Sequence, residues 1–460
     1  MTSETIELIE SNDVTRSWTY QRGVNNQIKL AILAAGLGKR MDPLTTHYLP
    51  KPMFPLGGCV PMTEMWVRRG VEAGITDISM NLCVLGNTIK NHFQDGTKFG
   101  AHIKYVEEDV PSGTLGGVCK QALGNRAKPV YATEPPLAIP PFQGTTIIAP
   151  SGDIISNFGS ALLEEMYDIH KKKGAALTMV LSPVPWDQRG EFGTVELESP
   201  EVLTGEISRS GRIVKFREKD PQSPSNLNNA SIYMIEMDLL KALDPLRTAA
   251  DPSLNEPFYD FGKHVFPAML GNLSYLSLPS DYVLWGIQYD GLWFDVGRKR
   301  DYLSVNQSFL DGDIPLELPY EKCPWGYVGT HVAIDFSTVR IIPPVVMGNH
   351  CTIAPGVTLG PYAVIGDDWT IDANAHIRHS VLWKRYSYFT ENTNRQGREI
   401  RASERTTSDR HRIRRNVTID QCILIGGDID RDLTESAVNV MENGQLDVVS
   451  IDWIPGGTRA

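Results

Sequence analysis

The sequence predicts an α/β protein in two parts, a βαβ sheet followed by a parallel β-helix, and three observations carry that expectation. Buried-strand patterns alternate with an amphipathic helix through the first two thirds of the chain. A six-residue period dominates a later stretch. Between them, around Asp311 to Pro324, both patterns fade into proline and charge.

At 460 residues the chain exceeds one ordinary hydrophobic core, so two or three domains are expected. Residues 1–27 are polar and without period, and read as an extension. The run Ile28 to Ala35 is apolar throughout and ends at glycines, the pattern of a buried parallel strand delivering its carboxyl end to a loop. Thr146 to Ala149 and Ala176 to Leu181 read as further buried strands, with an amphipathic helix over Ser160 to Lys173 between them. The proline-rich Ala127 to Gly144 reads as a surface loop. These patterns divide the chain into 28–310, a linker 311–330 and a repeat domain 331–460.

In the last part Met347, Ile353, Leu359, Ile365, Ile371 and Ile377 recur at every sixth place, mostly followed by a small or acidic residue. This hexapeptide spacing is that of a parallel β-helix whose axis is filled by the aliphatic residue; an antiparallel meander is the alternative. About two coils are visible. After Leu382 the period breaks, and an Arg-rich insertion over 383–415 carries Arg395, Arg398, Arg401, Arg405, Arg410, Arg412, Arg414 and Arg415. These arginines read as a solvated loop or, alternatively, as an anion-binding or subunit-contact loop.

The formal net charge of −11 argues against nucleic acid or an anionic membrane as partner, since both recruit basic faces. Six cysteines stand without a C-x-x-C pair or His-rich neighbour, which suggests neither zinc nor a disulfide framework and fits a reducing cytoplasm. No apolar stretch approaches the roughly 20 residues of a membrane span, and the acidic start lacks the regions of a signal peptide.

Chemistry concentrates in Leu33-Ala34-Ala35-Gly36-Leu37-Gly38-Lys39-Arg40 and the later Lys51-Pro52-Met53. Gly36 and Gly38, directly after a buried strand, let backbone N–H groups approach a phosphate. No third glycine completes a dinucleotide fingerprint, and Arg40 stands where a P-loop needs Ser or Thr. Arg40 and Lys51 supply a forked and a point cation, as a site crowded with phosphate charge requires. This block resembles the G-x-G-x-R…K-P signature of the sugar nucleotidyltransferase (pyrophosphorylase) superfamily, over about Ile28 to Leu310; Lys39 stands where the family usually has Thr.

The resemblance implies a Rossmann-like mixed-sheet α/β nucleotidyltransferase domain, followed by a left-handed parallel β-helix. It implies that a nucleoside triphosphate and a sugar 1-phosphate are joined with release of pyrophosphate. Asp153 and Asp295 are then expected to hold a divalent metal, Mg2+ or Mn2+. Taken alone, Asp153 also reads as a turn aspartate and Asp295 as the N-cap of a helix through Tyr302. Gly113 and Thr114, in Pro111-Ser-Gly-Thr-Leu-Gly-Gly117, match the loop beside the nucleobase, with a plain helix start as the alternative. Gly193 matches the glycine against the sugar ring, Glu218 and Asn229 the contacts to sugar hydroxyls, and Lys219 the contact to the sugar phosphate. Two departures, Asp220 for proline and Ser231 for glycine, fall on this sugar side.

Tyr259 to Pro267 and Ile451-Asp-Trp453 look similar to bacterial UDP-glucose pyrophosphorylases often labelled mannose-1-phosphate guanylyltransferases, which favours a glucose-like hexose with UTP or GTP. A catalytically silent regulatory subunit and a second acyl-transfer activity on the repeat are competing readings. Homo-oligomerisation through the repeat is also expected, because its open ends need cover.

Overall fold

The computed structural model describes residues 28–47, 49–124, 146–248, 260–272, 282–384, 387–390, 403–406, 411–440 and 445–453. The expected extension over residues 1–27, the proline-rich loop from Ala127 to Gly144, and Arg395, Arg398, Arg401 and Arg410 lie outside the described residues.

The first part is built on a nine-stranded mixed sheet. Its strands are β1 (Ile28–Leu33), β2 (Asp77–Leu82), β3 (His102–Glu107), β4 (Thr146–Pro150), β6 (Ala175–Pro183), β7 (Gly193–Val202), β8 (Ile207–Glu218), β9 (Leu227–Glu236) and β10 (Val283–Tyr289). A separate two-stranded ribbon joins β5 (Ile154–Ser156) to β11 (Trp293–Asp295). The sheet order is β3-β2-β1-β4-β9-β6-β10-β8-β7. Strands β3, β2, β1 and β4 run parallel, and β9 is inserted antiparallel between β4 and β6. Helices α1 (Glu64–Glu72), α2 (Gly86–Phe93), α3 (Gly113–Leu123), α4 (Ser160–Lys172), α5 (Met237–Thr248) and α6 (Lys299–Leu310) accompany it. The central strands β1 and β4 are apolar at most positions because both faces of the sheet are covered, by two separate apolar clusters, whereas the edge strand β3 turns its polar residues outward. Parallel strands aim their carboxyl ends to one edge, and there the loops after β1, β2, β3 and β4 collect.

Beyond α6 the chain forms three largely parallel sheets of eight, five and five strands, entered in rotation. Met347 pairs with Ile365, Ile353 with Ile371 and Leu359 with Ile377, so the six-residue period becomes one visit to each sheet per eighteen residues. All six residues are buried in one apolar cluster. The sheets extend well past the two coils legible in the sequence: the largest begins at Glu321–Cys323 and runs to Leu446–Ser450. The sequence period hides this because Ser380–Leu382 comes one residue early and a hairpin, Ser387–Thr390 with Ser403–Thr406, interrupts the next rung. Parallel pairing resumes at His411–Ile413, inside the expected insertion. Arg412 therefore lies within a strand and Arg414 directly follows it, and their side chains pair with Asp372 and Asp428 of the neighbouring turns of chain.

The eight-stranded sheet is buried on both faces. Met347, Ile365, Leu382 and Leu424 face the interior of the repeat, while Val346, Val364, Val381 and Ile423 join the core of the first domain, following the two-residue alternation of a strand. Phe54, Tyr302 and Trp383 close the seam, with ring centroids 4.8–6.2 Å apart. Trp383 Nε1 donates to Tyr302 Oη at 3.0 Å, and that hydroxyl donates to the Pro55 carbonyl at 2.5 Å. Among the described residues no helix is long and apolar enough to cross a membrane.

Helix α4 is fastened to the sheet by a buried polar cluster. His170 Nε2 lies 2.8 Å from Glu236 Oε1 and Nδ1 2.7 Å from Thr178 Oγ1, while Lys171 and Thr146 also donate to Glu236. Burial works against the Glu236 carboxylate, but the bonds from His170 and Lys171 outweigh it and bring its pKa from 4.5 down to about 2. A lowered pKa in the folded state contributes stability that is complete above about pH 4.5 and is lost as pH falls toward 2. Glu236→Gln should therefore cost about 1–2 kcal/mol at neutral pH and nothing near pH 2, measured by urea unfolding across that window; equal stability of both proteins at pH 7 would refute this.

Candidate active site

The loop after β1 turns through Gly38, at φ 61°, where a Cβ would meet Thr45 Cγ2 at 2.9 Å and Lys51 Cβ at 3.4 Å. Glycine is thus needed both for the left-handed backbone and for room. Thr45 donates to the Gly38 carbonyl and to Asp42, closing the loop upon itself. Lys51 begins a single 3-10 turn whose next residues, Pro52, Met53 and Phe54, are buried. The turn is anchored through Phe54 to Tyr302 and Trp383, so the position of the Lys51 stem is set by the core.

Asp153 follows β4, and Asp295 ends β11 opposite Ile154 of β5. Lys51 forms an ion pair with Asp153, and its Nζ lies 3.8 Å from Asp295 Oδ1. Burial opposes the charge of Lys51, but the two carboxylates overcome it and raise its pKa above the ordinary lysine value. The carboxylates are driven apart in acidity. Burial opposes ionisation of Asp153, yet Lys51 and the Ser151 hydroxyl prevail and lower its pKa; burial together with the charge of Asp153 raises that of Asp295. The exposed Arg40 lies at the same place, against Gly297, where a Cβ would fall 3.0 Å from its Nη2. Asp295 is not a helix cap: α6 is capped at Arg298, whose N–H donates to Asp301 at 2.7 Å.

A cavity of about 200 Å3 opens beside these groups. Leu33, Ala35, Gly36, Lys51, Gly113, Thr114 and Asp153 line it. Ala34 is fixed at its rim, its N–H donating to Asn81 Oδ1 at 2.8 Å. Gly113 and Thr114 start α3, and Thr114 Oγ1 accepts from Phe261 N at 3.0 Å. Lys39 is exposed and absent from the lining.

The remaining expected residues gather to one side. Gly193 and Glu218 meet around Phe216: a Cβ on Gly193 would be 2.6 Å from the ring and 3.0 Å from Glu218 Oε2. Glu218 also flanks Gly262, next to the cavity residue Asp260. Lys219 is exposed, at φ 52°, with its N–H on the Phe192 carbonyl. Asn229 donates to Tyr233 Oη and accepts from Ser231 N. Ser231 sits at φ 57°, the left-handed backbone that favours glycine, which gives a physical reason for glycine at this place in the resembled motif. Asp220 accepts from Gln222 N and pairs with Arg217, so it makes the turn that a proline would otherwise stiffen.

Sequence reasoning missed Asn81, Glu108, Ser112, Ser151 and Asp260, all of which line the cavity. Asn81, besides holding Ala34, donates to Glu108, which accepts from both the N–H and the hydroxyl of Ser112. One chain of hydrogen bonds thereby ties the β1 loop to the start of α3. The available signal was a buried polar residue near the carboxyl end of an apolar strand, Asn81 in β2.

A family profile described as nucleotidyl transferase matches residues 29–312, more than half of the chain. The chain belongs to that family. Among curated relatives it is 28% identical over 362 residues to the UTP–glucose-1-phosphate uridylyltransferase of Synechocystis sp., covering 78% of this chain and 83% of that one. It is 26% identical over 356 residues to the mannose-1-phosphate guanylyltransferase of Mycobacterium tuberculosis, covering 76% and 83%. It is 24% identical over 386 residues to the glucose-1-phosphate adenylyltransferase of an Anaeromyxobacter species, covering 77% and 89%.

Asn81→Ala would strip the Ala34 N–H and the buried Glu108 of their shared partner, and should destabilise the protein by about 1–3 kcal/mol. Thermal unfolding of the purified variant checks this; an unchanged midpoint would mean that the bridge carries no weight.

Proposed function

We propose that the chain transfers a nucleotidyl group from a nucleoside triphosphate to a sugar 1-phosphate, giving a nucleoside diphosphate sugar and pyrophosphate. A glucose-like hexose with UTP or GTP is the favoured pair. The observation that carries this reading is the Lys51 ammonium, paired with Asp153 and 3.8 Å from Asp295, beside a cavity bounded by Gly36 and Gly113. Family membership and relatives named for uridylyl and guanylyl transfer to hexose 1-phosphates support it.

Asp153 and Asp295 are two hard oxygen donors that converge beside the Lys51 ammonium, and they would be the residues to hold Mg2+ or Mn2+. When bound, the ion supplies charge neutralisation on the phosphates.

The residues of the chain do the positioning. The Gly36–Gly38 backbone cradles phosphate oxygens, Arg40 forks two of them, Lys51 adds a point charge, and Lys39 flanks the loop. Leu33, Ala34, Ala35, Gly113 and Thr114 border the nucleoside. Gly193 lies against the sugar ring, Glu218 and Asn229 take its hydroxyls, and Lys219 meets its phosphate. The attacking sugar-phosphate oxygen is already ionised at neutral pH, so in-line displacement at the α-phosphorus needs no general base and no covalent intermediate. A silent regulatory subunit is disfavoured, because Arg40, Lys51, Asp153 and Asp295 are all retained. The three parallel sheets are read as the parallel β-helix that the hexapeptide period predicts, left-handed as the family resemblance implies.

Lys51→Ala and Asp153→Ala should each lower turnover by about 100- to 1000-fold in a pyrophosphate-release assay, with the fold intact by circular dichroism. Near-normal rates in both variants would overturn the assignment. A panel of UTP, GTP, ATP and dTTP against glucose and mannose 1-phosphates should give its highest kcat/KM for a glucose-like hexose with UTP or GTP; preference for ATP would reject the favoured pair while leaving the reaction class standing.

A further inference from the structure

The ribbon that carries Asp153 and Asp295 stands outside the nine-stranded sheet, and one helix grips its free edge. Along β5 the backbone alternates. The Asp153 carbonyl accepts from Val296 N at the end of β11, and Ile155 is registered with Phe294. The carbonyls of Gly152, Ile154 and Ser156 point the other way, as alternate residues of a strand must. An unpaired buried edge of this kind would leave three acceptors without donors. In this protein the donors come from side chains at one three-residue spacing, on the N-cap of α1 and on the helix itself. Thr63 Oγ1 donates to the Gly152 carbonyl at 2.9 Å, Trp66 Nε1 to Ile154 at 3.1 Å and Arg69 Nη2 to Ser156 at 3.0 Å.

We propose that Thr63, Trp66 and Arg69 are positioning residues for Asp153 and Asp295, acting as a side-chain strand that clamps the ribbon bearing both carboxylates. The inference rests on the metal-holding role given to those carboxylates above. Three features separate it from ordinary core packing. Thr63 and Trp66 are fully buried, and their bonds bracket Asp153 at residues 152 and 154. Gly152 has no room for a side chain: a Cβ would lie 3.0 Å from both Thr63 Oγ1 and the Leu33 carbonyl, so the contact is built from both partners. Arg69 brings a guanidinium into the core, 4.1 Å from the centroid of Phe158 and 5.2 Å from that of Trp66, where an apolar residue would fill the space without burying a charge. Its hydrogen bond to Ser156 is a contact that no apolar replacement could make. On the opposite side, Trp293 Nε1 donates to the Ala230 carbonyl at 3.1 Å, so the ribbon is held from both edges.

A positioning role predicts loss of metal affinity out of proportion to loss of stability. Mn2+ binding to the full chain would be measured from the electron paramagnetic resonance signal of the free ion, alongside thermal unfolding and the KM for sugar 1-phosphate. Thr63→Val and Arg69→Met nearly keep volume, Trp66→Phe keeps an aromatic ring, and all three remove the donor; each should weaken Mn2+ binding by about tenfold, with KM for the sugar phosphate unchanged, and Arg69→Lys should recover most of the loss. If the parent protein binds Mn2+ and the folded Thr63→Val and Trp66→Phe variants bind it equally well, the clamp is refuted while the proposed reaction stands. If the parent protein binds no Mn2+, the metal-holding role of Asp153 and Asp295 falls, and the clamp falls with it.

Discussion

Everything at the carboxyl edge of the sheet is arranged around one buried cation. Lys51 is removed from water, which disfavours its charge, and it stays charged because Asp153 and Asp295 converge on it from different strands. The same convergence forces the carboxylates to differ. Asp153 makes the closer contact with the ammonium and also accepts from the Ser151 hydroxyl, whereas Asp295 is buried near a like charge and is pushed toward protonation. A second cation, Arg40, stands at Gly297. In an acidic chain, two cations and two carboxylates thus meet beside the cavity, and the side chains of Thr45, Lys51 and Arg40 leave no room for a Cβ at glycines 38 and 297.

The repeat domain bears directly on that site. Lys299, almost completely buried at the start of α6, donates to the carbonyl of Arg40 at 3.2 Å and to that of Trp453 at 2.7 Å. Arg300 makes a two-pronged pair with Asp452. Asn439 reaches the Pro43 carbonyl at 3.4 Å. The loop that carries Arg40 therefore leans on the last strands of the C-terminal sheet, and the stem of Lys51 leans on the same sheet through Phe54 and Trp383. Packing rather than covalent connection makes the two parts one structure, since alternate residues of the eight-stranded sheet serve two different cores.

Elements with strong local periodicity were legible in advance. The strands at Ile28, Thr146 and Ala175, the helix at Ser160 and the six-residue repeat all appear where their patterns lie, because burial on a regular element writes its period into the sequence. That Gly36 and Lys51 would stand near each other was legible for a related reason: small residues and a cation fall within a short span of the chain, and both line the cavity. The extent of the parallel sheets was not, because one early rung at Ser380 and one hairpin break the period without breaking the pairing. Asn81 and Glu108 escaped notice because each is a single polar residue whose purpose depends on a partner from another strand.

The sequence by itself determined where the most periodic strands and helices and the glycine loop would fall, since those choices follow from the spacing of apolar residues and the placement of glycine within a few neighbours. Tertiary structure alone decided that Lys51 would meet Asp153 and Asp295, that Asp295 would arrive on a ribbon and not at a helix cap, and that Thr63, Trp66 and Arg69 would finish that ribbon's edge. These contacts join residues far apart along the chain. Their geometry comes from how helices and strands pack, and local pattern carries no record of a partner brought near only when the whole domain closes.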